Sequence, residues 1–344
     1  MRDSAGTMRV SIQTQKKKVE TRMTEPILTI DIGGTKTIVG VCTTDGKVLH
    51  ALREGRPTDK DAFWIRDSVF ERIERLRSQE PELIGRIARC GIGFGGPVRD
   101  NHPVLSMHVA GWDRIDLCGE VEARFGWPAC MENDGIVQAL GEHTYGAGRG
   151  RSSLIFANLG TGYGGGIVEN GKPRLGDGGF AGHFGHVCVV PNGRECPCGN
   201  RGCAEAYCSG NGIGARTRDA VKTDRPEARP LAERIAALPV DAGAAPVLLE
   251  LAKEGDPFAL EVVEETLGLL SLALSAGVSI LDIRLIVLGG GAGLGLAHWL
   301  PRLQELVSQR SMPLSREGLE IRTAELGDFS LFLGAVALCV QRLG

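Results

Sequence analysis

Residues 27–50 read ILTIDIGGTKTIVGVCTTDGKVLH, and the fold is decided there. A short apolar run ends at Asp31 and Ile32, glycines follow, a β-branched run resumes at Thr37, and Asp45-Gly46 supplies a tight turn. The pattern predicts a β-hairpin with a polar, glycine-rich first turn. Residues 153–173, SLIFANLGTGYGGGIVENGKP, repeat it with two strand-like runs about a second glycine turn. This is the internal repeat visible in the sequence, and it puts one copy of the same device in each half of the chain.

Working outward, DAFWIRDSVFERIERLRSQ (61–79) spaces apolar residues as a helix does, and IARCGIGFGGPV returns to a strand ending in glycines. IDLCGEVEARF predicts a helix, PACMEND a short strand, and GIVQALGEHTYGAG a helix closed by glycine. A long helix follows in DPFALEVVEETLGLLSLALSAGVSIL, then a buried strand in IRLIVLGGGAG and an apolar helix in SLFLGAVALCVQRL. Strands alternating with helices predict an α/β architecture. Residues 1–26 read as a disordered tail, with Met23 a natural start of translation, because they lack a sustained apolar period and any signal-like apolar core.

The composition bounds the answer. A chain of 344 residues suggests two domains or one fold with two lobes. At 42% hydrophobic and 24% charged residues, most of it is excluded from the disordered class. Lysine plus arginine number 39 against 42 acidic residues, so the net charge of -3 offers no pull toward nucleic acid or an anionic membrane. No secretory signal is evident, so a cytoplasmic location with reduced thiols is expected. The 49 glycines and 10 cysteines need a chemical explanation.

Part of it lies in three glycine clusters. Asp31-Ile32-Gly33-Gly34-Thr35-Lys36 places a carboxylate at a strand end and bare backbone after it, which lets N–H groups approach phosphate oxygens while Asp31 faces Mg²⁺. It lacks the Walker A spacing. Gly160-Thr161-Gly162 repeats the device in the second half, and Gly289-Gly290-Gly291 follows LIVL, where a strand end could meet a nucleoside. Either hairpin alone reads equally as a plain turn; two together favour phosphate. The cysteines cluster too: His186, Cys196, Cys198 and Cys203 offer one imidazole and three thiolates within one loop, which suits a closed, structural Zn²⁺ site. The other seven cysteines read as buried free thiols. Glu132-Asn133-Asp134 sits at a strand-to-helix junction, where a carboxylate is either a helix cap or a general base.

Taken together, DIGGTKT (31–37), GIGFGGPV (91–98), ENDGIVQALGE (132–142), LGTGYGGGIV (159–168), GHFGHVCVVPNGRECPCGNRGCAEAYCSG (182–210) and LIVLGGG (285–291) resemble the ROK family of sugar kinases and sugar-responsive repressors, within the hexokinase, actin and Hsp70 superfamily. The resemblance runs from Ile27 to the end. It implies a two-lobed ribonuclease H-like, actin-like ATPase fold with a zinc-binding loop at 186–203. The smaller lobe would span 27–135 and the larger 136–344, with the C-terminal helix a candidate to pack back on the smaller lobe. The two lobes would close on ATP and a sugar, with phosphoryl transfer to a primary hydroxyl.

The resemblance also distributes roles. Asp134 becomes the catalytic base. Gly96, His108, Asn133, His183, His186 and Glu205 fall on the sugar side, with His186 also a zinc ligand. Asp31, Gly33, Gly34, Thr35 and Lys36 would handle phosphate and Mg²⁺, Gly160, Thr161 and Gly162 would act opposite them, and Gly289, Gly290 and Gly291 would lie near adenosine. The partners implied are ATP and a sugar or sugar-like small molecule, in a homodimer or homotetramer. The adenosine-side glycines favour ATP over polyphosphate.

Two positions depart from the pattern. The usual Glu-x-Gly-His is His183-Phe184-Gly185-His186, and His108 stands roughly where an asparagine is common. Imidazoles do not give a carboxylate's bidentate grip on a diol, so the acceptor is either glucose bound differently or a relative such as an amino sugar or a C7 cyclitol. A ROK-type repressor is the alternative class; about 30 residues before the first hairpin are too few for a winged helix-turn-helix. A sugar-binding pseudokinase would have no need of the phosphate apparatus.

Overall fold

The structure, a computed structural model, describes residues 25–33, 36–55, 59–106, 109–222, 225–238 and 243–344. Two compact units emerge: the chain up to Asp134 together with Leu331–Gly344, and Gly135–Ser330.

In the first unit the strands are β1 (Pro26–Ile32), β2 (Lys36–Thr43), β3 (Val48–Gly55), β4 (Cys90–Phe94), β5 (Val98–Arg99), β6 (His102–Pro103) and β7 (Ala129–Asn133). Five form a sheet in the order β3-β2-β1-β4-β7, with β1, β4 and β7 parallel and β1-β2-β3 antiparallel. Every residue of β1 is buried, the polar Thr29 and Asp31 included, as befits a mainly apolar strand covered on both faces. The expected helix is Ala62–Gln79, capped by the Asp61 side chain on the Trp64 N–H, and it turns Ile65, Val69, Ile73 and Leu76 into the core. Burial of each such side chain contributes about 2 kcal/mol.

The C-terminal helix Ser330–Leu343 belongs almost wholly to this unit, and the glycines of β4 explain its seat. A Cβ at Gly91 would overlap the carbonyl of Ala335, and one at Gly93 would overlap the Leu331 side chain. GIGF is therefore a trough for a helix as much as the lead-in to a binding loop.

The second unit carries β8 (Leu154–Leu159), β9 (Tyr163–Glu169), β10 (Lys172–Pro173), β11 (Leu285–Gly289) and β12 (Glu320–Thr323). Its sheet order is β10-β9-β8-β11-β12, with β8, β11 and β12 parallel and β8-β9-β10 antiparallel. The repeat seen in the sequence as a hairpin thus extends to a whole five-stranded topology; β12 had no distinct sequence signal. The long helix is Pro257–Leu281, started by Asp256 and Pro257 and stopped by Asp282 in the left-handed region. It is apolar and long enough to cross a membrane, but more than half of its apolar window is buried, and it packs on the helices Ala244–Lys253 and Leu300–Arg310 in this unit's core.

Candidate active site

In the first unit, chemistry-bearing residues gather where the parallel strands end. Asp31, only 4% exposed, pairs across the ladder with Gly93, which pairs with Glu132, so Asp31 and Glu132 are two strands, about 10 Å, apart. The Gly33 N–H donates to the Lys36 carbonyl at 3.0 Å and closes the turn between β1 and β2. Gly34, Thr35 and His108 lie outside the described residues. After β4, the Gly95 N–H donates to the Ile32 carbonyl at 2.7 Å, and the Gly96 carbonyl accepts from Asn133 Nδ2 at 3.0 Å. Asn133 is buried, and its side chain is oriented by that bond. Asp134, half-buried, opens the helix Asp134–Tyr145, a position where the helix dipole favours a negative charge.

In the second unit the Gly160-Thr161-Gly162 turn follows β8, with Thr161 and Gly162 exposed. Its carbonyls are held by the start of the helix Gly210–Ala220: the Gly210 N–H donates to Gly160 O at 2.8 Å and the Asn211 N–H to Thr161 O at 3.3 Å. Glu205 supports its far end, accepting the Tyr163 N–H at 2.8 Å. The glycines of the third cluster differ. Gly289 abuts the Phe156 ring, Gly290 has φ +75° and presses on the end of β8, and a Cβ at Gly291 would meet nothing within 4 Å. Gly291 is the member facing open space.

The cysteine loop brings its four expected ligands together. The donor atoms of His186, Cys196, Cys198 and Cys203 all lie within 4.8 Å of one another. Cys196 Sγ is 3.7 Å from His186 Nδ1, and Cys198 Sγ is 3.7 Å from Cys203 Sγ. Thiolates bound to one zinc at about 2.3 Å stand about 3.8 Å apart, so the donor set fits a tetrahedral ion. Burial pushes the Cys196 and Cys203 thiols up. Burial also opposes ionisation of Cys198, but hydrogen bonds from the Asn200 backbone and the two neighbouring thiols outweigh it and hold that thiol below its ordinary value. Six of the other cysteines are buried, as expected, whereas Cys188 is exposed: it lies in the cysteine loop, with Sγ 3.7 Å from the Arg201 carbonyl.

His183 reaches the Phe180 carbonyl through Nδ1 at 2.8 Å, and its ring lies nearly parallel to that of His186 at 6.1 Å. A carbonyl only accepts, so the ring nitrogen that faces it, Nδ1, carries a proton. Arg342 and Asn101, which hold the edge of β7, carry no local sequence signal, because their partners are remote in the chain, and the buried Glu142 gathers remote partners such as Ser330 besides the nearby Ala147.

The ROK family profile matches residues 27–342. The chain belongs to the ROK family. A curated glucokinase of Thermotoga maritima is 30% identical over 320 residues, covering 92% of this chain and 98% of its own. An N-acetylmannosamine kinase of Yersinia pestis is 28% identical over 83% of this chain and 89% of its own. Among solved structures, a ROK family glucokinase from Streptomyces griseus in complex with glucose and AMPPNP superposes with a TM-score of 0.75 at 28% identity, covering 92% of this chain and 99% of that one. The ROK assignment places the paired five-stranded sheets in the ribonuclease H-like, actin-like ATPase fold.

Proposed function

We propose that this chain, an ATP-dependent sugar kinase, transfers the γ-phosphoryl group of ATP to the primary hydroxyl of a hexose or hexose-like acceptor, with Asp134 as general base. The observation that carries the reading is the sheet end that sets Asn133 and Asp134 two strands from Asp31, in a chain matched by the ROK profile almost throughout. Asp134 takes the proton of the attacking hydroxyl; the new bond forms from that oxygen to the γ-phosphorus as the bond to the β-phosphate oxygen breaks, and ADP leaves. Asn133 and Glu205 hold neighbouring hydroxyls. The Gly160–Gly162 turn would offer backbone N–H groups to phosphate, and Asp31 would hold the Mg²⁺ that neutralises phosphate charge.

The His186, Cys196, Cys198 and Cys203 set would hold a structural zinc, fixing His186 and Glu205 on the acceptor side. With His186 bound through Nδ1 and His183 donating from Nδ1 to the Phe180 carbonyl, an imidazole at position 183 stands where the family's usual residue is a carboxylate, beside the His186 ring. This favours an acceptor whose substituents differ from those of glucose at that end of the ring, such as an amino sugar or a C7 cyclitol.

The test is ADP release with glucose, mannose, glucosamine, N-acetylated hexosamines, kanosamine and a C7 cyclitol, alongside Asp134→Asn. We expect a non-glucose acceptor to give the highest kcat/KM and Asp134→Asn to lose about 10²- to 10⁴-fold in kcat while still binding both substrates. Glucose as the best acceptor would end the altered-specificity reading, and a fully active Asp134→Asn would remove the base.

A further inference from the structure

The sheet order leaves β7 as an edge strand, with backbone groups of Met131 and Asn133 turned away from β4. Such groups ordinarily meet water or another strand. Here side chains take them. The Met131 N–H donates to Asn101 Oδ1 at 3.1 Å, the Met131 carbonyl accepts from Arg342 Nη1 at 2.9 Å, and the Asn133 N–H donates to Glu132 Oε1 at 2.9 Å. Arg342 closes the ring by pairing through Nη2 with Glu132 Oε2 and by donating from Nη1 to Asn101 Oδ1 at 3.2 Å.

Glu132 is almost completely buried, whereas the Arg342 side chain is 28% exposed. A buried carboxylate without its partner is costly, so the orientation of Glu132 depends on Arg342. The helix carrying Arg342 is itself seated in the trough of Gly91 and Gly93, which brings its last turn to the β7 edge.

We propose that Arg342 and Glu132 are a positioning pair for the reaction: they act as a substitute strand that sets the backbone at Asn133, and through it Asp134, in the geometry phosphoryl transfer requires. Neither touches substrate. The inference rests on the reading of Asp134 as base. A displacement of about 1 Å at a reacting group costs on the order of 10²-fold in rate, so small losses of edge geometry are visible in kcat.

The experiment compares Arg342→Ala, Arg342→Lys, Glu132→Gln and Asp134→Asn in the full chain, measuring kcat, both KM values and Tm. We expect Arg342→Ala to lower kcat by about 10- to 100-fold with KM for ATP little changed. Guanidinium ion, added well below denaturing concentration, should restore part of that kcat without raising Tm. Arg342→Lys should recover little, since an ammonium cannot bridge Met131, Asn101 and Glu132 as a fork does. Glu132→Gln preserves the side-chain shape and keeps the assay open if Arg342→Ala folds poorly; it should reduce kcat in the same sense. Unchanged kcat in Arg342→Ala or Glu132→Gln, or a loss that only follows the fraction folded and does not respond to guanidinium, overturns the positioning role. Full activity in Asp134→Asn overturns the base assignment instead, so the two failures are told apart.

Discussion

Glu205 Oε2 accepts the Tyr163 N–H at 2.8 Å, while Glu205 Oε1 lies 3.6 Å from Cys196 Sγ. One carboxylate therefore joins the end of the glycine turn to the cysteine loop. The fit is close: a Cβ at Gly162 would sit 2.9 Å from Glu205 Oε2. Ordering of the cysteine loop is thereby linked to ordering of the turn.

Purified protein should contain one zinc per chain by elemental mass spectrometry. Cys198→Ser should release it, lower Tm, and raise KM for ATP as well as for the acceptor, because the Gly160–Gly162 turn loses its support through Glu205. A metal-free protein with the same Tm and KM values before and after chelation would rule this out.

The glycines of the third cluster, proposed to lie near adenosine, should separate by position. Gly290→Ala puts a methyl group 2.5 Å from the Leu159 backbone at φ +75° and should destabilise the fold by about 1–3 kcal/mol in urea titrations. Gly291→Ala meets no atom of the described residues within 4 Å, so stability should stay within about 0.5 kcal/mol while KM for ATP rises. An unchanged KM would move the nucleoside away from Gly291.

Glu142 is fully buried, and its carboxylate accepts from the N–H groups of Ala147, Glu325 and Leu326 and from Ser330 Oγ, at 2.8–3.1 Å. It pins the segment that leads into the C-terminal helix. Glutamine turns one acceptor oxygen into donors facing donors, so Glu142→Gln should cost at least about 2 kcal/mol. Denaturant curves that overlay the wild type would show these bonds to be dispensable.

Burial pushes the Cys42 and Cys208 thiols up to about 12, and Cys90 and Cys118 are raised for the same cause. Unfolded, these thiols ionise near their ordinary value of 9.0. Below that pH both states are protonated and the thiols cost no stability. As pH rises past 9 the unfolded chain loses protons that the native chain keeps, so stability should fall between pH 9 and 12. Equilibrium unfolding across that range checks the sign. At pH 8 a thiol reagent should label Cys188 in the native, metal-loaded protein and leave the buried cysteines untouched.

The two glycine hairpins, the long helices and the four-ligand loop were legible because each rests on neighbours in the chain: apolar period, turn residues and ligand spacing are local properties. The same locality explains what was misassigned or missed. Gly91 and Gly93 read as part of a glycine-ended strand, yet their lack of side chains accommodates a helix some 240 residues later. Cys188 sits in the cysteine-rich loop with His186, Cys196, Cys198 and Cys203 but stands outside their cluster.

By itself the sequence determined the α/β class, the repeated phosphate-type hairpin, the zinc-type donor set and Asp134 as the residue to test. Only the tertiary structure decided that the repeat is a whole five-stranded topology, that Gly291 alone of its cluster faces open space, and that Arg342 and Glu132 close the edge of β7. Hydrophobic period and turn chemistry are written in consecutive residues, whereas edge pairing, burial and close approach arise when remote segments meet, and no local pattern records which remote segment that will be.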